Sequence, residues 1–561
     1  MPKNDLSSYI FNRFQWVYCQ LVTLHHVGQA HVRAVLERLP ETLDETYARV
    51  LNNIKEDNRA HARRLLHCLA VAARPLSVEE LAEILAFDFD AAHGGIPTFH
   101  ENWRPEDPEE AILSICSSLV TIVDNWGSRV VKFSHMSVKE FLTSDRLATS
   151  TEDFSTYHIL PGPAHTILAQ ACLGLLLHLY DDFDYDNWSD RYRCPLVGYA
   201  ARHWVAHAQF EDVASHLKDG MVHLFDLDMP HFVVWTRIYD IDAESVGIFP
   251  SEKASPLYYS ALCGFYDLVY HIGIKHPQNV NAIAGSFEFP LVAAICHGHF
   301  QVAELLLAHG GSVHVRNKRQ ETVLHIALTW SNVSLDAVQF LLEHGADVNS
   351  QSDDLWTPLH IAVLNEWLSV ARMLLDHQAD VNSRNRDGQS PLHLLSSLGT
   401  SQGEDDGSDI AKLLLECGAN VDEKDKDNAT PLHLASYNKN LKIVRVLLDH
   451  GANADVEKNR GETPLQLALT RRDTHDAEDN IGVARLLLEH GAEAYGRDKY
   501  HISTSDLACC FGNEKVGQVL LVDERKFMAD NRDQTAFWLW IEGEYHSPDH
   551  IFGGLHILPR V

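Results

Sequence analysis

The stretch Thr357-Pro358-Leu359-His360 decides the fold, because it recurs through the second half of the 561-residue chain. It returns as Ser390-Pro391-Leu392-His393, Thr430-Pro431-Leu432-His433 and Thr463-Pro464-Leu465-Gln466, with a weaker copy at Thr322-Val323-Leu324-His325. The first residues of successive copies are 35, 33, 40 and 33 positions apart. Self-similarity with a period of about 33 residues is typical of stacked helix pairs, which bury a core only against their neighbours. The repeat therefore predicts a helical solenoid.

A second phrase follows each copy and has the pattern of a buried helix. Val302 to Gly310 places leucines and a valine on one broad face and ends in a glycine, which readily adopts the left-handed backbone beyond a helix end. The phrase reappears at residues 337–345, 410–418, 443–451 and 483–491. The copy from Val370 to Gln378 ends in glutamine, for which positive φ is costly. That turn is predicted to be less stable or differently shaped.

Each residue of the first phrase has a mechanical role. Thr357 stands where a helix N-cap is expected, and Pro358 follows at the first helical position, where its missing N–H costs nothing. The histidine can bond backbone groups of its own turn and of the next repeat. Here the chain resembles the ankyrin-repeat family, whose Thr-Pro-Leu-His-x-Ala signature is met by Thr357 to Ala362 and by Thr430 to Ala435.

The same period extends the array in both directions. Phe289-Pro290-Leu291-Val292 and Ser255-Pro256-Leu257-Tyr258 precede the five copies, and Thr504 to Ala508 fits a degraded last copy. We count about eight repeats between residues 250 and 522, with atypical ends because terminal faces must meet water or another domain. Two acidic insertions, 400–407 and 472–479, are predicted to be polar surface loops between the two helices of their repeats.

The overall composition is that of a globular protein with an acidic excess. Hydrophobic residues make up 45 %, and 78 acidic against 46 basic side chains give a formal charge of −32. Such a charge repels phosphate, which argues against general nucleic-acid or anionic-membrane binding. No apolar run approaches a membrane span, and the polar opening is not that of a signal peptide. The ten cysteines form no Cys-x-x-Cys pair, so we expect reduced thiols and a cytoplasmic protein, with the nucleus as the alternative.

The first half alternates helical patterns with one predicted hairpin. Leu43 begins a helix, and Ser77 with Glu80 forms a capping box at the start of another. Val120 to Asp124 and Arg129 to Phe133 are predicted to pair as a hairpin. Helix, helix, helix, hairpin is the order of a winged helix. The expected fold class is mainly α: an ankyrin-repeat α-solenoid preceded by a helical, winged-helix region with one β-hairpin.

This first half also resembles fungal NACHT–ankyrin proteins, in the region after their nucleotide-binding core. The resemblance is carried by Leu39 to Tyr47, Arg74 to Leu76, Cys116 to Leu119, Phe133 to Leu142 and Tyr199 to Trp204. In that family an NTPase core transmits its nucleotide state through the winged helix to a sensing repeat array. The present sequence departs from the family because it lacks the NTPase core, of which only Phe14 to Leu21 resembles the final helix.

The repeats and the resemblance together predict five segments. They are a helical remnant of the NTPase-associated region at residues 1–40, a winged-helix-like domain at 41–150, a helical linker region at 151–249, the ankyrin array at 250–522 and a C-terminal tail at 523–561. Within the tail, Phe537 to Ile541 is expected either to cap the last repeat or to add a strand.

No enzymatic activity is predicted. The phosphate-binding loop Gly-x-x-x-x-Gly-Lys-Ser/Thr has no match, since the nearest candidate, Gly127 to Lys132, lacks the second glycine. No Ser/His/Asp or Cys/His grouping stands out as catalytic, and no cofactor, metal or small-molecule substrate is expected. A winged helix can read DNA, but Glu79, Glu80 and Glu83 crowd the presumed recognition helix and oppose contact with phosphate. A packing role is therefore favoured for the winged helix.

The 35 histidines invite a metal-binding interpretation, which their spacing disfavours. His325, His360, His393 and His433 lie one repeat apart and would form a column, so bonds that fix the register of the repeats are favoured over ligation. A second set lies near helix C-termini, where the ring suits the free carbonyls and the helix dipole. Its members are His309, His344, His377, His450 and His490.

Candidate partner-binding residues occupy the variable slots of the repeats. In the ankyrin family, partners meet the turn tips and the exposed side of the first helices, which together form a concave surface. The corresponding residues here are Lys318, Arg319, Trp330, Asp353, Asp354, Trp356, Asn365, Arg386, Asp387, Lys426, Asp427, Tyr437, Asn459 and Arg460. Trp330, Trp356 and Tyr437 are the favoured anchors, because buried aromatic side chains carry much interface energy. The alternative for each of the three is that it covers a neighbouring repeat.

The leading functional hypothesis is a non-enzymatic scaffold or recognition module that binds a protein partner through the concave ankyrin surface. The alternative is the sensor or relay portion of a STAND-type signal-transducing NTPase system whose nucleotide-binding core is missing from this chain. A third, weaker hypothesis is a transcriptional role through the winged helix.

Overall fold

The computed structural model describes most of the chain. It covers residues 42–493 apart from gaps at 94, 126, 149–152, 180–192, 227, 247–254, 331–333, 399–406 and 470–476, and it adds Lys499 and Thr504. The predicted segments 1–40 and 523–561 lie outside the described residues, as do nearly all of the eighth repeat and the insertion at 400–406. The chain divides into two compact units, one ending at Gly311 and the other beginning at Ser312.

The first part of the first unit contains the predicted helices and the predicted hairpin, together with elements that were not predicted. Its elements are α1 (Leu43–Asn52), α2 (Glu56–Val71), α3 (Val78–Glu83), β1 (Phe87–His93), β2 (Ile96–Phe99), α4 (Pro108–Cys116), β3 (Val120–Asn125), β4 (Ser128–Phe133), α5 (Met136–Leu142) and α6 (Asp145–Ala148). Strands β3 and β4 pair antiparallel as predicted, with Asn125 opposite Ser128 at the turn. The capping box of α3 is confirmed, since Ser77 and Glu80 each accept the other's backbone N–H. Ser77 also bridges to Val130 and so joins the hairpin to the helices.

The region that was expected to contain one hairpin contains two. Strands β1 and β2 pair antiparallel between α3 and α4, where no hairpin was predicted. Phe87 and Phe99 stand opposite each other with ring centroids 4.9 Å apart, and Gly95 turns the chain with a φ of 78°. The alternation Phe87-Asp88-Phe89-Asp90 is the period-two signal of a strand, and it could have revealed this hairpin in the sequence.

A helical region follows the winged helix within the first unit. Its helices are α7 (Pro161–His178), α8 (Val197–Ala208), α9 (Val213–His216), α10 (Lys218–Leu224), α11 (His231–Ile238) and α12 (Ile241–Val246). Trp204 on α8 and Trp235 on α11 are fully buried, with their rings edge to face at 5.4 Å. Trp235 Nε1 donates to Ala201 O at 3.0 Å, so the buried indole N–H of Trp235 has a hydrogen-bond partner inside this aromatic core.

Seven of the predicted helix pairs fall within the described residues. The first unit holds α13 (Pro256–Leu262) with α14 (Tyr266–Lys275), and α15 (Pro290–Cys296) with α16 (Phe300–Ala308). The second unit holds α17 (Val323–Thr329) with α18 (Leu335–Glu343), α19 (Pro358–Leu364) with α20 (Leu368–Asp376), α21 (Pro391–Ser397) with α22 (Ser408–Glu416), α23 (Pro431–Tyr437) with α24 (Leu441–Asp449), and α25 (Pro464–Leu469) with α26 (Ala477–Glu489). The predicted mainly helical solenoid is confirmed.

Two local features of the array differ from the predicted ones. Residues 477–479 of the second insertion are helical and not loop, because α26 starts at Ala477, and alanine and glutamate are strong helix formers. Gln378 does not reshape its turn. Its φ of 67° puts it in the left-handed region of the glycines, and Ala379 N bonds Leu374 O at 3.0 Å as Ala419 N bonds Leu414 O at 2.9 Å. The lower stability predicted for that turn stays a prediction.

Candidate partner-binding surface

The turn tips of successive repeats in the second unit are joined by a ladder of backbone hydrogen bonds. Each tip after the first donates one backbone N–H to a carbonyl of the preceding tip, and Lys499 continues the ladder beyond the last tip. The bonds run from Asp353 N to Arg319 O (2.9 Å), Arg386 N to Asp354 O (2.8 Å), Lys426 N to Asp387 O (3.1 Å), Asn459 N to Asp427 O (2.9 Å) and Lys499 N to Arg460 O (3.1 Å). The structure therefore brings the predicted tip residues together in one continuous row, here called the tip row: residues 318–319, 353–354, 386–387, 426–427 and 459–460.

Side chains at the base of the turns hold the tip row in shape. Asn317 Oδ1 accepts the backbone N–H groups of Arg319 and Glu321, both at 2.9 Å. Asn385 and Asp425 make the equivalent pairs of bonds in later repeats. Asn and Asp favour turns through this kind of local bond. The residue after each tip has positive φ, between 58° and 77°: Gln320, Leu355, Gly388, Asn428 and Gly461.

The tip row presents charges of both signs to solvent. Arg386 and Asp354 form an ion pair across two repeats at 3.0 Å, with 63 % and 66 % of their side chains exposed. Arg386 also donates to Asp353 O at 2.8 Å. Lys426 and Asp427 are exposed beside them. Such exposed pairs add little to stability, but they give a partner a fixed pattern of donors and acceptors.

The three predicted aromatic anchors differ in their surroundings. Tyr437 is 43 % exposed at the end of α23. Trp356 is half-buried, with its ring centroid 5.9 Å from the ring of His360 below it. Trp330 is also half-buried, at the end of α17. The exposure of Tyr437 makes it the better candidate for an anchor. Trp356 packs on its own repeat, which resembles the alternative that these aromatic residues cover a neighbouring repeat.

Two predicted asparagines are engaged within the array. Asn365 Nδ2 donates to Ile361 O at 3.0 Å, so it helps to end α19. Asn459 Oδ1 accepts from Asn428 Nδ2 at 2.6 Å, and Asn459 Nδ2 reaches Lys426 O at 3.3 Å. Both side chains are exposed enough to touch a partner, but they also fix the turns on which they sit.

Two exposed apolar residues on this surface were not predicted. Leu355 follows a tip and is 41 % exposed, and Leu364 lies on the exposed side of α19 and is 40 % exposed. Leu364 stands seven positions after Thr357, as Tyr437 stands seven positions after Thr430. A slot-by-slot alignment of the repeats would have found Leu364. Together with Tyr437, these residues give the surface an apolar component.

Beneath this surface, the histidines of the repeat phrase fix the register of neighbouring repeats. We call His325, His360, His393 and His433 the histidine column. Each Nε2 donates to a carbonyl just before the next repeat phrase: Trp356 O (2.9 Å), Gln389 O (3.2 Å), Ala429 O (3.1 Å) and Glu462 O (3.2 Å). The predicted register bonds are confirmed.

The other ring nitrogen of each histidine determines its protonation state. Nδ1 of His360 accepts the backbone N–H of Thr357 at 3.1 Å, and the other members bond their N-cap residues in the same way. Since a backbone N–H can only donate, Nδ1 must be unprotonated and the ring neutral. Burial lowers the pKa of His360 and of His433 to about 4, and it lowers the pKa of His325 and His393 in the same direction. The histidine column is therefore uncharged near neutral pH.

The second histidine set serves helix ends, as predicted. Nδ1 of His309, His344, His450 and His490 lies between 2.8 and 2.9 Å from the carbonyl oxygen four residues earlier. His377 is the C-cap of α20. Across the described part of the chain, no three or more His, Cys, Asp or Glu side chains are grouped so as to hold a metal ion.

The winged-helix region buries two of the three acidic residues that were expected to repel phosphate. Glu80 is 8 % exposed and bonded to Arg74 at 2.6 Å, and Glu83 is 2 % exposed and bonded to Arg104. Burial raises the pKa of Glu83, and Arg104 opposes that rise. The expected repulsion was therefore wrong for these two residues, because both charges are paired inside the fold.

The helix in the recognition position also differs from the expected one. Helix α4, and not α3, directly precedes the predicted β3–β4 hairpin, which is the place of the recognition helix in a winged helix. It carries Glu109 and Glu110 and no lysine or arginine. Helix α3 is buried at every residue except Glu79. Neither helix offers the basic surface that phosphate contact requires.

Both regions match known families. Residues 257–352, 332–403 and 400–498 match the description "Ankyrin repeats". Residues 48–155 match "GPI inositol-deacylase, winged helix domain". The chain thus contains ankyrin repeats and a winged-helix domain, and both of these predictions are confirmed.

Two fungal proteins share longer stretches with the chain. The azaphilone pigments biosynthesis cluster protein L of Monascus ruber is 30 % identical over 305 residues, which are 51 % of this chain and 63 % of that protein. The vegetative incompatibility protein HET-E-1 of Podospora anserina is 27 % identical over 273 residues, which are 44 % of this chain and 18 % of that protein. The chain therefore spans less than two thirds of the length of either relative. Among the described helices, none is long and apolar enough to cross a membrane.

Proposed function

We propose that this protein is a non-enzymatic interaction module, which binds a protein partner through the tip row and the adjoining exposed sides of α19 and α23. The observation that supports this function best is the tip row itself. Five successive turns hold exposed side chains of both signs in a register fixed by backbone bonds. Ankyrin repeats, which the chain contains, support protein partners.

The physical advantage of this surface is that little of it has to become ordered on binding. Turn-base residues such as Asn317 and Asn385 already set the tip backbone, and the ladder sets the distance between tips. Binding then loses less conformational entropy than it would on free loops. Leu355, Leu364 and Tyr437 supply apolar contact, and the charged tips supply selectivity.

The proposal is tested by affinity purification of the full chain from its native cells, with quantitative mass spectrometry. The test variant Leu364→Asp/Tyr437→Asp changes two exposed side chains of the surface. The matched control Arg372→Ala/Arg445→Ala changes exposed side chains on the second helices of the same two repeats. We expect the control to retain the partner proteins of the wild type and the test variant to lose them by about tenfold or more, as hot-spot truncations do. Equal recovery with both variants would contradict the proposal.

A second candidate function is compatible with the similarity to HET-E-1. We infer that the chain could serve as the sensor or relay portion of a signal-transducing NTPase system. These 561 residues contain no phosphate-binding loop, so in such a role the nucleotide-binding core lies outside them. Co-purification of a nucleotide-binding protein with the wild-type chain would support this role. Tight binding of fluorescent ATP by the isolated chain would contradict the non-enzymatic assignment.

A further inference from the structure

The first unit contains a cavity of about 700 Å³ among strand β2 and helices α7, α10 and α14. Small-molecule sites usually have volumes of about 300–1,000 Å³, mostly apolar walls and a few polar groups. This cavity has that make-up, because Ile96, Leu177 and Val222 line it together with a set of polar side chains. All three apolar residues are half-buried, so part of their surface is left uncovered. A bound molecule could cover that surface.

The walls of the cavity are held in place by close packing. Gly220 brings α10 so near to β2 that a Cβ at this position would lie 2.4 Å from the side chain of Ile96. Gln170 Nε2 on α7 donates to Gly95 O at 2.6 Å, and this bond ties the β1–β2 turn to the same helix. The cavity therefore exists before any ligand arrives, which lowers the entropy lost on binding.

The polar part of the lining is rich in nitrogen. Lys218 is the permanent cation, and its ion pair with Asp267 is loose, at 4.0 Å with both side chains about half exposed. Asp219 also lines the cavity, but consecutive residues leave a helix in directions about 100° apart. Three imidazoles add further N–H donors: His178, His223 and His271. Within the described residues these histidines do not form a metal site. A carboxylate suits the set better, since it accepts from an ammonium group and from neutral imidazoles alike.

His271 has a ring nitrogen whose hydrogen bond is missing. Its Nε2 is buried, and no partner bonds it among the residues that the structure describes. Burial lowers the pKa of His271, as do the charges of Lys275 and Lys218, so the ring is neutral near neutral pH and carries one N–H. Leaving a buried polar atom unpaired is unfavourable. A carboxylate beside Lys218 would give this ring an acceptor.

We propose that this cavity binds a small organic acid. The carboxylate lies between Lys218 and His271, and the apolar body of the acid covers Ile96, Leu177 and Val222. The ion pair fixes the orientation of the ligand, and burial of its apolar body adds affinity. This site is independent of the proposed partner-binding function, because the tip row belongs to the second unit.

The first test is isothermal titration calorimetry of the full chain with octanoate and with 1-octanol, which has the same apolar body and no charge. At about 0.15 M salt and about pH 7.5, we expect octanoate to bind at least about tenfold more tightly than 1-octanol. The formal charge of −32 repels anions from the chain in general, so binding of octanoate reports a local site.

Two lysine variants show whether Lys218 holds the carboxylate. Lys218→Gln is expected to weaken octanoate binding about tenfold and to leave 1-octanol within about twofold. The matched control Lys275→Gln removes the same charge from an exposed position of α14 outside the lining, and leaves both affinities unchanged. No binding of octanoate to the wild type, or equal affinities for the two lysine variants, would overturn the proposal.

The second test changes the shape of the cavity and removes its unpaired imidazole. Leu177→Trp and, from another helix, Val222→Trp each fill the apolar part and are expected to weaken octanoate and 1-octanol alike by about tenfold or more. His271→Phe keeps a ring without nitrogens and is expected to weaken octanoate about fivefold without affecting 1-octanol. Thermal unfolding of each variant reports whether the fold is intact. Octanoate binding that survives in both folded tryptophan variants would refute the site, and an unchanged affinity in His271→Phe would contradict the placement of the carboxylate.

Discussion

Mild acid is predicted to destabilise the ankyrin array through the histidine column. Each ring accepts a backbone N–H at Nδ1 and donates from Nε2, so it can take no further proton without losing a bond. Burial lowers the pKa of His360 and His433 from 6.5 to about 4. Between the unfolded pKa of 6.5 and the folded pKa of about 4, these histidines bind protons in the unfolded chain but not in the folded chain. The contribution of the neutral histidines to the free energy of unfolding is therefore fully present above about pH 6.5 and is lost as the pH drops towards 4.

The size of the effect follows from the two pKa values. At about pH 5 an unfolded histidine is almost fully protonated, while a folded one with a pKa of about 4 is largely neutral. The free energy of unfolding then falls by about 2 kcal/mol for each of His360 and His433, or about 4 kcal/mol together. His325 and His393 shift in the same direction and add to the loss.

The chain supplies its own matched comparison for this prediction. Gln466 occupies the slot of the histidine column in the Thr463 repeat, and its Oε1 accepts Thr463 N at 3.0 Å without titrating. The variants His433→Gln and Gln466→His therefore remove and add one titrating member. Unfolding by urea at about pH 7.5 and pH 5.0 gives the loss of stability for each variant. We expect that loss to be about 2 kcal/mol smaller in His433→Gln, and to be larger in Gln466→His by a similar amount.

A substitution that lowers the free energy of unfolding equally at both pH values does not affect this test. The test compares, between variants, only the change in that free energy from about pH 7.5 to about pH 5.0. His433→Gln lacks one register bond and is expected to cost about 1 kcal/mol at both pH values. If wild type, His433→Gln and Gln466→His lost the same stability on acidification, the buried neutral state of the histidine column would be refuted.

Three further predictions concern stability. Gln378→Gly relieves a glutamine with a φ of 67° and is expected to raise the free energy of unfolding by about 0.5–1 kcal/mol, whereas Gly418→Gln, in the equivalent turn, lowers it by a similar amount; urea unfolding of both measures the difference. Arg104→Met leaves the 2 % exposed carboxylate of Glu83 without its ion-pair partner and is expected to lower the free energy of unfolding by about 3–5 kcal/mol. Thermal unfolding should show a smaller loss for Glu83→Gln/Arg104→Met, because that variant buries no unpaired charge. Tyr258→Phe removes the hydroxyl that donates to buried Asp242 at 2.8 Å, and is expected to cost about 1–3 kcal/mol in the same assay.

The array was readable from the sequence because its bonds are local and repeated. The N-cap, proline and histidine of each phrase lie within four residues, so their capping and register roles follow from spacing alone. The fixed period then places each histidine against the next repeat. The left-handed turn at Gln378 was readable for the same reason, although its unchanged shape shows that the surrounding bonds outweigh the preference of glutamine.

The remaining features depend on contacts between residues distant in the chain. Glu83 could not be recognised as buried from its own neighbourhood, because its carboxylate is held by Arg104 and by Leu196 N, which donates at 2.6 Å. The β1–β2 hairpin, in contrast, has a period-two pattern at Phe87 to Asp90, but the Gly94-Gly95 pair that follows is as typical of a loop as of a hairpin turn.

One measurement tests the proposed binding surface most directly, and it works even when the partner has not been identified. Three variants of the full chain are produced in native cells, each with a photo-crosslinking amino acid at one position. Two carry it on the proposed surface, at Leu355 or at Tyr437. The third, a control, carries it at Arg372 on the second helix of the α19 repeat. After illumination, discrete protein adducts are expected from positions 355 and 437 and not from position 372. Adducts from position 372 alone, or none from the tip-row side, would contradict the account.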